Sequence, residues 1–206
     1  MQVLRGAAGR SRLLSELWSI GDLGTGESLI RNLAPNSSRM TEGQAGENRQ
    51  RLATAEGFGD IFELVKTAVD QVLGIHRAGL TLVLGDIPNQ VGAYHEMGSN
   101  AIVMNRNLVK IVERSTRSRT RKNSYTFMIL LHEYLHSLGF TDDGQVRELS
   151  RKITDVFVGK GHLAAEMAVG PLDRFFPDIN QYAMFRDNGT FETVNKFDTS
   201  STSYIA

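Results

Sequence analysis

Two of the chain's five histidines stand four residues apart, and an acid lies between them. His132, Glu133 and His136 in "LLHEYLHSLGF" spell H-E-x-x-H. Four residues is about one turn of helix, so both imidazoles leave the same face and can converge on one divalent ion. Neutral imidazole suits zinc, and two such ligands leave room for a third protein ligand and a water. Glu133 lies about 100° round the helix from His132, where it can reach a water beside the ion without ligating the metal. A carboxylate so placed can take a proton from water and hand it to a leaving amine, which is the chemistry of peptide hydrolysis.

A long apolar helix must carry this motif. Phe127, Leu131, Leu135 and Leu138 form a face that presses into a core, and Gly139 is a good terminator for a helix over 124–138. Asp142 or Asp143 then caps a further helix, "GQVRELSRKITDVFV", with Val146, Leu149, Ile153, Val156 and Phe157 facing inward. Upstream, apolar residues at three- and four-residue steps predict helix from Asn48 to His76, with Gly57 and Gly59 able to break it in two. "LTLVLGDI" (Leu80–Ile87) reads as a strand, and "VGAYHE" and "NAIVMN" as two more. "RNLVKIVERS" reads as a helix, and another helix falls around "HLAAEMAVGPLDRFF".

These elements predict an α+β domain over residues 46–185. An arm precedes it (1–45, with a short helix bearing Leu13, Leu14, Leu17 and Trp18), and a polar tail follows it (186–206). The 23 basic residues balance the 23 acidic ones, so no global field advertises a nucleic-acid or membrane partner. Absence of cysteine excludes disulfides, a thiolate nucleophile and a Cys-based zinc site. No signal peptide and no run of about 18 apolar residues is legible, which predicts a soluble cytoplasmic protein without a membrane partner.

"HEYLHSLGF" resembles the active-site helix of the zincin metallopeptidases, and the strand-strand-helix order before it is similar to their core. With the acidic turn and helix that follow, the stretch from Leu80 to Phe157 looks most like the small archaeal minigluzincins. The resemblance implies a small mixed sheet with a backing helix, a zinc ion held by His132 and His136, and Glu133 as general base. It further implies an edge strand that pairs with substrate; by position this is "NAIVMN", which nominates Asn100, Ala101, Ile102 and Val103 as substrate-binding residues. For the third ligand it leaves alternatives. Asp142 completes a metzincin-like H-E-x-x-H-x-x-G-x-x-D, although Met167 and Met184 offer no persuasive methionine turn. Glu148 answers to the glutamate helix of gluzincins, if the two helices pack antiparallel about "GFTDD". Asp143 is the remaining candidate.

Three histidines lie outside the motif. His95 can line the cleft or stabilise an oxyanion, or simply sit half exposed on a strand. His162 reads as a cap, and His76 as the end of a helix. Arg114, Arg117, Arg119, Arg121 and Lys122 fall within nine residues as a basic loop, which could contact the phosphates of RNA or a ribosome. A non-catalytic or latent binding protein on a zincin scaffold is therefore the second reading.

Overall fold

The computed structural model describes residues 40–180 and 189–199. The expected helix at Leu13–Trp18, and Met184, lie outside these residues. Six α-helices and a four-stranded mixed sheet make up the described part. No described helix is long and apolar enough to cross a membrane.

Helix α1 (Glu42–Thr54) opens on a capping box, in which Thr41 and Gln44 satisfy each other's backbone N–H groups. Helical order thus starts before residue 46. The break at Gly57 occurs as expected, with that glycine as the N-cap of α2 (Phe58–Leu73). Strands β1 (Thr81–Gly85), β2 (Ala93–His95) and β3 (Ala101–Asn105) follow, and then α3 (Arg106–Ser115). Helix α4 (Arg119–Ser137) carries the H-E-x-x-H motif; α5 (Asp143–Phe157), α6 (Leu163–Val169) and β4 (Phe191–Thr193) complete the order.

The strands lie in the order β2–β3–β1–β4. β1 and β3 are parallel, pairing Leu82 with Ile102, while β2 and β4 run antiparallel to their neighbours and form the two edges. This corrects the expectation that Asn100–Asn105 is the edge. β2 occupies the outer side of β3, pairing Tyr94 with Val103, and Ile102 is fully buried. A strand bonded on both sides has no backbone groups left for a substrate.

α4 is the central helix. Tyr125, Phe127, Leu130, Leu131, Tyr134 and Leu135 are essentially inaccessible, each such side chain contributing on the order of 1.5–3 kcal/mol of burial. α1, α2, α5, α6 and β2 pack around it. The Tyr134 hydroxyl accepts from the Arg77 backbone N–H at 2.6 Å and donates to its carbonyl at 3.0 Å. That pair satisfies a buried phenol and pins the segment leading from α2 into the sheet.

α4 begins five residues earlier than its apolar pattern suggests. The basic segment is therefore not one loop: Arg114 lies in the last turn of α3, and Arg119, Arg121 and Lys122 lie in the first turn of α4 behind the N-cap Ser118. The expected polar tail is also corrected over 189–199. β4 pairs with β1, Phe197 stacks on Phe62 at 4.2 Å between ring centres, and the Asp198 carboxylate is buried. The chain passes so close to α2 that a Cβ on Gly59 would meet the Lys196 carbonyl oxygen at 2.7 Å.

Candidate metal centre

Three side chains converge where α4 turns into α5. The Nε2 atoms of His132 and His136 stand 3.1 Å apart, and Asp143 Oδ1 lies 3.2 Å from the His136 nitrogen and 3.5 Å from that of His132. Among the described residues this is the one group of three or more metal-ligand side chains in mutual reach. Ligand atoms about 2.0–2.1 Å from a tetrahedral zinc ion are separated by about 3.3 Å. The three observed separations bracket that value, so the residues fit such an ion.

The ring nitrogens are set up for ligation. His136 Nδ1 lies 2.7 Å from the Phe140 carbonyl oxygen, and a carbonyl only accepts, so Nδ1 carries the proton. In the neutral ring, Nε2 then presents its lone pair to the site. Burial, followed by the neighbouring His136, holds the His132 pKa below its ordinary value, which keeps that ring uncharged at neutral pH.

Two features of the corner place the third group. Gly139 has φ +99°, a conformation that side-chain-bearing residues rarely adopt, and it turns the chain back after α4. Asp142 then caps α5, accepting from the Gln145 N–H at 2.7 Å, which spends its carboxylate on the helix. Asp143, the first residue of α5, faces the histidines instead. Glu148 is engaged elsewhere: Arg151 donates to both its oxygens, at 2.7 and 3.1 Å, and Lys152 lies at 3.5 Å. Hydrogen bonding from Arg151 lowers the Glu148 pKa. Of the three carboxylates expected as candidates, Asp143 is thus the one that stands with the two histidines, and Asp142 and Glu148 do not. A signal for this was present in the sequence, since helix capping consumes one member of the Asp-Asp pair and releases the next.

Glu133 is 5% exposed and stays outside the ligand cluster. Burial, and secondarily the charge of Asp143, pushes its carboxyl up to about 7, while the backbone of His95 opposes the rise. The acid therefore lies between the ligand cluster and strand β2. His95 turns its ring into the sheet, Nδ1 lying 3.0 Å from the Ala101 carbonyl, and burial lowers its pKa. Asn100 is bound by Arg77 at 2.8 Å, so Asn100, Ala101, Ile102 and Val103 do not face the site as a free edge. His162 caps α6, as expected, accepting from the Ala164 N–H. His76 lies beyond the end of α2 rather than within it, near Asp70.

Compared with known proteins, the chain matches no family model, no curated protein and no solved structure.

Proposed function

We propose that the protein is a zinc-dependent peptidase of zincin-like fold, with His132, His136 and Asp143 as metal ligands and Glu133 as general base. The observation that carries this reading is the spacing of the three ligand atoms, 3.1, 3.2 and 3.5 Å apart, with a buried acid on the adjacent helical position. Zinc held there supplies Lewis acidity, polarising a carbonyl and bringing the pKa of water toward 7. Glu133, its own carboxyl near 7, is matched to accepting a proton from the attacking water and passing it to the leaving amine. Its contact with the His95 backbone sets that carboxylate beside the outer edge of β2, unpaired among the described residues, where an extended peptide can add as a further strand. The exposed Tyr94 on that strand, with Val91 and Met97 flanking it, offers apolar contacts to such a peptide.

Metal analysis of the purified protein is expected to find about one zinc per chain, with Glu133→Ala retaining the metal and losing hydrolysis of an unfolded protein. Zinc-loaded wild type that cleaves no peptide overturns the peptidase reading. Zinc retained in a His132→Ala/His136→Ala double variant overturns the metal site.

A further inference from the structure

The opposite end of α4 carries a second candidate site. Arg119 and His136 are 17 positions apart on one helix, or about 25 Å along its axis. Here a cleft of about 430 Å³ lies between α2, α3 and the start of α4, lined by Arg117, Arg119, Lys122 and Tyr125 and by the acids Glu56 and Glu113. Among the described residues, Arg117, Arg119 and Lys122 have no carboxylate within 4 Å.

Their position runs against local electrostatics. The N-terminus of a helix holds partial positive charge and favours acids, yet the first turn of α4 contains no acid and three cations. Such a conflict persists where something outside the local sequence resolves it, and a bound anion would do so. An independent observation supports this: Tyr125, 1% exposed, lines the same cleft, and its buried hydroxyl finds no hydrogen-bond partner among the described residues. A buried donor left without an acceptor is uncommon and costly.

We propose that this cleft binds a compact phosphate-type anion, with Arg117, Arg119 and Lys122 neutralising it and the Tyr125 hydroxyl donating to it. A multiply charged oxyanion supplies enough acceptors for all four donors at once. Glu56 and Glu113 flank the cations, and the chain's net charge is zero. Both facts favour a small ligand over a long nucleic-acid backbone, which gathers its affinity from a broad basic surface.

The probe is pyrophosphate, titrated calorimetrically into the full-length protein after EDTA treatment, so that the anion cannot report on zinc. Sodium chloride of matched ionic strength serves as the control. Saturable binding is expected, weakened about tenfold by Arg119→Gln or Lys122→Gln and severalfold by Tyr125→Phe. The last variant keeps the ring in its edge-on contact with Phe176 and removes only the orphaned hydroxyl, so it folds. Failure of pyrophosphate to bind, or equal binding by wild type and all three variants, overturns the proposal. A single-stranded RNA that binds where pyrophosphate does not also overturns it, and assigns the basic turn to nucleic acid. None of these outcomes depends on the metal centre or on peptidase activity.

Discussion

Two of the carboxylates buried in this domain are held under opposite terms. Asp198 has a fully inaccessible side chain and is well partnered: Lys66 Nζ lies at 2.8 Å, and the Gly79 and Leu80 N–H groups donate at 2.9 and 3.1 Å. Glu133, nearly as buried, is stabilised by the backbone of His95 and opposed by the charge of Asp143. The fold satisfies one acid completely and leaves the other short of partners. An acid whose oxygens are spent on many donors is a poor base, whereas an under-partnered one can take a proton. The difference separates an acid that clamps the chain from one poised for chemistry.

Removing the clamp should have the largest effect. Asp198→Ala leaves the Lys66 ammonium, 8% exposed, with Glu63 at 2.7 Å as its remaining carboxylate and orphans two backbone donors, so a loss of about 4 kcal/mol is expected in urea denaturation. A loss under about 1 kcal/mol would mean that the 189–199 segment does not hold the domain together. It would also end the contrast between the two acids.

Glu133 predicts the reverse sign. Its folded pKa of about 7 stands above the ordinary value of 4.5, so below pH 4.5 both states hold the proton and no stability is at stake. Between pH 4.5 and 7 the folded state keeps a proton that the unfolded state has released, and stability falls as pH rises. Above 7 the cost levels off at about 3 kcal/mol. Glu133→Gln keeps the shape and an acceptor for the His95 backbone while removing the charge. In metal-free protein it is expected to raise stability by up to about 3 kcal/mol at pH 8 and by almost nothing at pH 4.5. Equal effects at both pH values would show that packing, not charge, sets the energetics there. Stability gained where activity is lost is the pattern of a residue retained for function.

Much of this was legible in the chain because it rests on local rules. The H-E-x-x-H spacing, the glycine after α4, the break at Gly57 and the identities of β1, β2 and β3 each follow from periodicity or from a conformation only certain residues adopt. What escaped depends on chain order in three dimensions. Strand pattern alone does not say that β2 lies outside β3, because both are short, and register and neighbours come from the whole sheet. The anchoring of the 189–199 strap escaped because Phe197 and Asp198 stand in a polar stretch, and only Phe62 and Lys66 on α2 give them a purpose. The start of α4 was hidden by arginines on a turn where acids are the rule.

The smallest effect on stability tests the finest distinction at the site, between two adjacent acids of the same type. Asp142 spends its carboxylate on the Gln145 N–H, so Asp142→Ala is expected to cost about 1 kcal/mol of stability while leaving zinc affinity within a few-fold of wild type. Asp143 is 74% exposed and caps nothing, so Asp143→Asn should change metal-free stability by less than about 0.5 kcal/mol. Its expected cost is instead in the metal: at least about a hundredfold in zinc affinity, the upper end of what the loss of a supporting residue costs, measured by competition with a chelating dye. An exchange of these two results would return the third ligand to Asp142 and make Asp143 the cap. Equal zinc loss in both variants would mean that the corner acts only by its charge, because a ligand requires one carboxylate at one position and a diffuse field does not.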